Sequence, residues 1–510
     1  MKINKKAYTL ILILLLSQFL AAQQTYFNKI YNPYNTVAIS RHIVVLDTVY
    51  LIGGLIKDSS TYVNTLAILV IDNNGNLKKV MKPGKIGLPY GSGSSGSFNM
   101  LLDNSYIWAG QIRTSVKDIG FLIKLDSSLN KEWEKEFMLN NDTVYSYLGV
   151  MQTKQTYDNG YVLVGDVDAS GQYNTDILLI KTDSLGNKVW QKTYSYIGVD
   201  RGWNIIQTHD KGFLIGAGGY IATLKHSYNG LIIKTDSLGN EQWRKSIGSS
   251  SYDDYFCVVE NSPDGNYIVG LASGVGIINP DNSYRRIRLL KISPSGSVIW
   301  DKMYNKAKGG NALNQIIILD DGSIVATGFM DADSLQIGDS WGWMLKTNTN
   351  GDSLWMREHY YFNGHANANR FYDIKQTQDG GFIACGQVDS LPAIHQSIWV
   401  LKVDSFGCDS PGCHTVGINT STPLSVRDII VFPNPASYEI TIDFGEAVQD
   451  DGFVEIYNIT GVLVSRRTRF ASKKYPNKIK IDVSQLKIGL YIGKVIFDNG
   501  YIRSFKFVVD

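Results

Sequence analysis

The feature that most constrains this chain is a motif that returns at a nearly fixed interval. Its clearest copies read Asp183-Ser-Leu-Gly186-Asn-Lys-Val-Trp190 and Asp236-Ser-Leu-Gly239-Asn-Glu-Gln-Trp243. A second string precedes it, as in Asp158-Asn-Gly160-Tyr-Val-Leu-Val-Gly165 and Asp379-Gly-Gly381-Phe-Ile-Ala-Cys-Gly386. The Asp of the second string falls at Asp47, Asp103, Asp158, Asp210, Asp264, Asp321 and Asp379, in steps of 56, 55, 52, 54, 57 and 58 residues. The Trp of the first falls at Trp133, Trp190, Trp243, Trp300 and Trp355. One step back from Trp133 reaches Lys79, after a degenerate Asp72-Asn-Asn-Gly75. A further step reaches Phe27, where Phe27-Asn-Lys-Ile-Tyr31 matches Trp190-Gln-Lys-Thr-Tyr194. Both series have seven members, and such self-similarity sets the architecture before any other signal.

Each repeat reads as four short strands. In one repeat they are Trp203–Thr208, Phe213–Ala217, Leu231–Thr235 and Glu241–Lys245. Apolar and β-branched runs cut by Gly, Asp, Asn and Ser are the strand signature, and no 3.6-residue amphipathic period lies between them. The expected fold is all-β, with a seven-bladed β-propeller as the main domain. The seventh repeat runs through Ile398-Trp-Val-Leu-Lys402 to Cys408 without a Trp strand, whereas Phe27–Tyr31 is a Trp-type strand with no repeat before it. Ring closure accounts for both. The N-terminal strand becomes the outer strand of the last blade and leaves no edge unpaired.

The two ends follow other rules. Lys2, Lys5 and Lys6 precede the apolar run Leu10–Leu16, and Ala21-Ala22 supply small residues for cleavage before Gln23. Residues 1–22 therefore read as a secretory signal peptide. The propeller is assigned to residues 23–415 and a Ser/Thr/Asn-rich linker to 416–427. A small C-terminal β-sandwich is assigned to 428–510, on alternating strands such as Glu439-Ile-Thr-Ile-Asp-Phe444 and Lys478-Ile-Lys-Ile-Asp-Val483. A net charge of +2 gives no basis for a nucleic-acid or polybasic membrane partner. No stretch after the signal reaches the ~18 apolar residues of a transmembrane helix.

The C-terminal module resembles the type A C-terminal sorting domain of the type IX secretion system of Bacteroidota. The resemblance rests on the Phe432-Pro433-Asn434-Pro435 start, Gly461 after Ile-Tyr-Asn-Ile-Thr, the Leu486-x-x-Gly489-Leu-Tyr491 string and the finish from Lys506. Asp510 after the final Val is a small departure. The resemblance implies the type IX machinery as a partner, passage across the outer membrane, and removal of the domain with surface attachment or release. The repeats look like those of secreted Bacteroidota propellers with kelch-like or quinoprotein-like blades, a likeness that bears on architecture and not on function.

The chemistry is sparse. Asp-Ser-Leu-Gly-x-x-x-Trp resembles the Asp-box of sialidases with altered spacing. It reads as a hairpin turn in which Asp caps amides and Gly takes φ > 0, with Trp covering the groove between blades. Asp166-Val-Asp168-Ala-Ser170-Gly171 begins like a calcium loop, with Asp176 further on, but Ile177 stands where an EF-hand needs a bidentate acid. Calcium at Asp166, Asp168 and Asp176 is thus the one cofactor candidate, against ordinary loop solvation. Gly91-Ser-Gly-Ser-Ser-Gly-Ser97 lacks the Lys of a phosphate cradle and reads as a flexible loop between blades. The seven His show no zinc spacing, and no Gly-x-Ser-x-Gly is present.

Of four Cys, Cys408 and Cys413 flank Pro411-Gly412, a turn that brings two Cβ atoms together, so a disulfide is expected there. Cys257 and Cys385 lie in apolar strands and read as buried hydrophobes. No residue is singled out as catalytic. The first reading is an exported, surface-displayed or released propeller that binds a glycan or protein through its loops. The alternative is a secreted hydrolase or lyase with acids converging at the axis. A quinone-cofactor dehydrogenase finds no supporting signature. Acids, His and Arg of several blades converging in one axial pocket would favour the alternative, and a wall of Ser, Asn, Gly and aliphatics the first reading.

Overall fold

The computed structural model describes residues 25–411, 413 and 430–510, apart from 35, 59, 115–116, 139–145, 169–173, 197, 221–227, 249–251, 280–281, 305–309, 332–339, 363–367, 391–394, 445–450, 459–462, 466–467, 472–476 and 498–501. The signal peptide and the linker lie outside the described residues. The chain divides into two units, Met1–Pro411 and Gly412–Asp510. All regular elements among the described residues are strands.

The first unit repeats one antiparallel group of four. Its simplest copy pairs Val199–Gln207, Phe213–Tyr220, Asn229–Thr235 and Glu241–Ile247 in chain order. The observed strands run longer than the sequence suggests because their ends continue into polar residues that still hold ladder bonds. The other inner strands are Ala38–Val45, Ser146–Gln155, Tyr255–Asn261, Asn311–Ile318 and Ala368–Gln376. In the second blade the inner strand is split into Tyr90–Gly91 and Phe98–Met100, both paired to Tyr106–Arg113. The last blade is completed by Phe27–Tyr31, which pairs antiparallel with His395–Val403, Phe27 opposite Lys402 and Tyr31 opposite Ile398. The first unit is a β-propeller closed by its own N-terminal strand.

Both sequence strings turn out to be structural. Asp183 Oδ1 accepts the amides of Leu185 at 2.9 Å and Asn187 at 2.8 Å, which fixes the hairpin turn. The Asp of the other string neutralises a buried Lys on the third strand. Lys402 lies 2.8 Å from Asp379 and Lys234 2.8 Å from Asp210, and each ammonium also donates to a backbone carbonyl. A buried ammonium is tolerated only with such partners.

The Trp series staples neighbouring blades. Trp190 packs over Gly239 in the turn of the next blade, and Trp133 over Gly186, Trp300 over Gly351, Trp355 over Gly407 in the same way. Phe27 covers Gly75 and so carries the series across the closure. Tyr residues four positions on reinforce it: Tyr194 Oη donates to Gly239 O at 2.7 Å and Tyr31 Oη to Gly75 O at 2.7 Å. The exception is coordinated. Where Lys79 replaces the aromatic, the facing turn residue is Leu129, at φ +69°, which packs into the core instead.

The Gly-rich segment behaves differently from the flexible loop expected. Inner strands carry a bulge that leaves one carbonyl without a ladder partner, and the segment supplies the missing donors. Ser94 N donates to Met151 O at 2.7 Å and Ser94 Oγ to Trp203 O at 2.9 Å, from the third and fourth blades. Ser95 Oγ donates to Tyr372 O of the seventh. Gln152 Nε2 donates to Ser95 O at 2.7 Å, and buried His42 Nε2 lies 2.8 Å from Ser92 O. Residues 92–95 therefore lie across the propeller axis and bind blades on several sides. Its serines are there to bond, and its glycines to let the backbone approach.

Side chains beside the bulges tie consecutive inner strands. Gln152 Oε1 accepts from Ile205 N at 2.7 Å, Asn204 Oδ1 from Val259 N at 2.8 Å, and Asp373 Oδ2 from Ile43 N at 2.8 Å.

The second unit has two sheets. One pairs Ile430–Phe432, Glu439–Asp443 and Lys478–Asp482. The other pairs Thr468–Phe470, Gly452–Asn458, Gly489–Phe497 and Ile502–Val509. Alternate residues of both, Ile440, Ile442, Ile479, Ile481, Val454, Ile456, Val495 and Phe507 among them, share one core, which makes a β-sandwich. Cys408 and Cys413 are disulfide-bonded, and Cys257 and Cys385 are free and buried.

Candidate functional site

In each blade the first-to-second and third-to-fourth connections, such as 208–212 and 236–240, lie at one end of the strands. The second-to-third and fourth-to-first connections join strands at the opposite end, here the long-loop face because it takes the longest connections of the unit, such as 221–228 and 332–339. Residues that end a second strand or begin an inner strand therefore face the long loops.

A cluster of polar groups from three consecutive blades gathers there. Asp166, near the end of Tyr161–Asp168, is fully buried. Its Oδ1 receives the Tyr147 hydroxyl at 3.3 Å, and its Oδ2 faces Arg201 Nε at 3.5 Å. Tyr147 also lies 3.3 Å from Gln111 Oε1. Gly149 leaves the room for this contact, because a Cβ there would stand 2.4 Å from the Tyr147 hydroxyl and 2.7 Å from Gln111 Oε1. Burial pushes the Asp166 carboxyl up to about 7, with Arg201 and the Tyr147 hydrogen bond opposing. Burial likewise raises Tyr147, and it raises Asp118 against the opposing charge of Arg113.

Beside it the bulges of the inner strands present Arg41, Met151, Trp203, Phe256, Asn314 and Tyr372 at one level of the axis. Trp203 meets Phe256 edge-on with centroids 4.6 Å apart and donates from Nε1 to Tyr228 Oη at 3.0 Å. Arg201 lies 5.9 Å from the Trp203 ring and Arg41 5.0 Å from Tyr372. On the far blades Arg370 lies 4.9 Å from the Phe329 ring and acts on both Asp331 and Asp389, whose carboxyls burial raises. Acids and arginines thus form two separate groups on this face, one on the second to fourth blades and one on the sixth and seventh.

The three acids weighed for calcium are placed differently. Asp166 is engaged by Tyr147 and Arg201, Asp168 is buried at the same strand end, and Asp176 accepts from Ser195 Oγ at 2.6 Å. Among the described residues no group of three or more His, Cys, Asp or Glu could hold a metal ion. The loop 169–173 lies outside the described residues. Sequence reasoning missed Tyr147, Arg201 and Trp203. One signal was present. Eight residues after each series Asp the repeats read Leu55, Gln111, Asp166, Gly218, Ala272, Phe329 and Gln387, so only the third places an ionisable group at a position that is apolar or Gly in four others.

In the C-terminal unit the sorting-motif residues cluster at one end. Asn434 Oδ1 accepts from Val508 N at 2.8 Å, between Pro433 and Pro435, and Ala436 N donates to Val508 O at 2.8 Å. Tyr491, just after Gly489, stacks on Phe507 at 5.7 Å and donates to Lys487 O at 2.6 Å, while Lys506 is exposed. Residues 430–510 match the family model described as a secretion system C-terminal sorting domain. This unit is a type IX sorting domain. It implies interaction with the type IX secretion machinery and export to the cell surface or the extracellular space. No helix among the described residues is long and apolar enough to cross a membrane.

No curated protein matches the chain. Among solved structures, an ulvan lyase described as a new family of polysaccharide lyase is 10% identical, with 75% of this chain and 96% of that chain covered and a TM-score of 0.46. An alpha-L-arabinanase of Penicillium chrysogenum is 11% identical, with 75% and 98% covered and a TM-score of 0.39. An alpha-L-arabinofuranosidase of Fusarium graminearum is 11% identical, with 60% and 91% covered and a TM-score of 0.39.

Proposed function

We propose that the exported propeller is a non-catalytic binding protein for an extracellular saccharide, taken on its long-loop face. The observation that supports this most is the set of half-buried Arg41, Trp203, Phe256 and Tyr372 that the inner-strand bulges present at one level of the axis. Aromatic faces cover sugar rings at low entropic cost, and guanidinium groups hydrogen-bond their oxygens. A rigid closed scaffold holds such groups in place before the ligand arrives, which lowers the ordering cost of binding.

A second reading, a hydrolase or lyase, is favoured by one arrangement. The Tyr147 hydroxyl bonds a carboxyl that titrates at about 7, a value suited to moving protons at neutral pH. A glycan array with the full-length exported protein tests the first reading. A bound glycan should lose at least tenfold in affinity, about 1.4 kcal/mol or more, in Trp203→Ala, read at a temperature where circular dichroism shows the variant fully folded. Release of new reducing ends from that glycan, abolished in Tyr147→Phe, would install the enzymatic reading instead. An array without a ligand would remove the first.

A further inference from the structure

We infer that Arg201 forms a subsite for the carboxylate of an acidic sugar, a uronate, within the saccharide proposed above. The inference rests on that reading and adds its chemical class. Arg201 Nε and Asp166 Oδ2 face each other at 3.5 Å, yet neither atom has a hydrogen-bond partner, so the ion pair is only partly satisfied. A half-satisfied buried polar pair is costly and gains from a further partner. The Arg201 side chain is 40% exposed although its Nε is buried, so an incoming group reaches the outer part of the guanidinium, while the Asp166 side chain is wholly buried. Arg113 is exposed at the end of Tyr106–Arg113 in the second blade and acts on the same carboxyl. A uronate offers a flat pair of acceptor oxygens, the shape a guanidinium fork binds best. Trp203, whose ring centroid lies 5.9 Å from the Arg201 guanidinium, is close enough to cover the sugar ring.

The subsite carries its own pH dependence. Asp166 is acted on by Arg201 from Val199–Gln207, Tyr147 from Ser146–Gln155, Arg113 from Tyr106–Arg113 and Asp118 from Lys117–Leu125, and Gln111 meets the Tyr147 hydroxyl. Tyr220 and Tyr228 also act on Arg201. Burial sets the Asp166 carboxyl at about 7. Below that pH it is neutral, and Arg201 keeps an uncompensated charge. Above it the carboxylate competes with the ligand for Arg201. The uronate itself stays ionised throughout this range.

The test is calorimetry on the full-length exported protein with tetragalacturonate and with its neutral, carboxyl-reduced counterpart, at pH 6 and pH 8. The acidic oligosaccharide should bind about tenfold tighter at pH 6, because the competent, protonated fraction falls about tenfold by pH 8. The neutral one should not respond to pH. Asp166→Asn should bind the acidic oligosaccharide at both pH values as the parent does at pH 6, and Arg201→Gln should bind both oligosaccharides alike. Equal binding of the two by the parent, or a pH response that survives in Asp166→Asn, overturns the subsite and leaves saccharide binding standing. Failure to bind these and every glycan of the array overturns both.

Discussion

Trp190 lies over Gly239, so closely that a Cβ at position 239 would come within 2.9 Å of the indole. Gly239 also holds a φ of +76°, a conformation that side chains resist. One glycine thus serves the turn of its own blade and the staple from the blade before. Gly239→Ala should cost ~2 kcal/mol. Trp190→Ala should cost ~2–3 kcal/mol, less than a fully buried Trp because the ring is half-buried. The double variant should cost less than the sum, since the clash disappears with the indole. Denaturant unfolding reads all three, and strict additivity would mean the two residues do not communicate.

Closure by the N-terminal strand makes a second prediction. Removing residues 23–35 exposes the edge of His395–Val403 and uncovers Gly75, so the melting temperature should fall by several degrees or more. A melt that matches the intact chain would show that the pairing adds nothing to the ring.

Asp166 predicts a pH effect on stability. Its carboxyl is raised in the fold to about 7, against roughly 3.9 when exposed. Between those values the folded state binds the proton that the unfolded chain has lost. Stability from this group therefore falls as pH rises from about 4 to about 7 and is level above. Asp166→Asn should remove that slope and raise stability at pH 8 by on the order of a few kcal/mol. Thermal unfolding across pH 4–8 checks it, and a less stable variant at pH 8 would mean that the ionised carboxylate is held favourably by Arg201.

The repeat made the fold legible. Blade strands, closure by Phe27 and the role of the Trp series all follow from spacing, because each blade must bury its faces against the next. The sorting domain was legible in Phe432–Pro435, Gly489 and Tyr491. The axis was not. Gly91–Ser97 has the composition of a flexible linker, and only the unpaired carbonyls of Met151, Trp203 and Tyr372, set by bulges in distant blades, give its serines something to bond. The site was hidden for the same reason. Gln111, Tyr147, Asp166 and Arg201 belong to three blades, and their meeting depends on register. A single sequence marks it only through the departure of Asp166 from its equivalents in the other repeats.

The C-terminal unit has a core of its own, so its removal tests addressing apart from folding. A chain lacking residues 430–510 should fold, keep its melting transition and stay in the periplasm, whereas those residues behind a signal peptide and a reporter should carry the reporter out. Normal amounts of the truncated protein in the medium would contradict its role in export.

The most direct test of the central claim, binding on the long-loop face, is hydrogen exchange of the full-length exported protein with and without a glycan that it binds. Protection should appear in the segments around Arg41, Tyr147, Arg201–Trp203, Phe256 and Arg370–Tyr372. The turns at Asp183–Gly186, Asp236–Gly239 and Asp404–Gly407 on the opposite end should exchange as before. Protection confined to those turns, or to residues 430–510, would contradict the account.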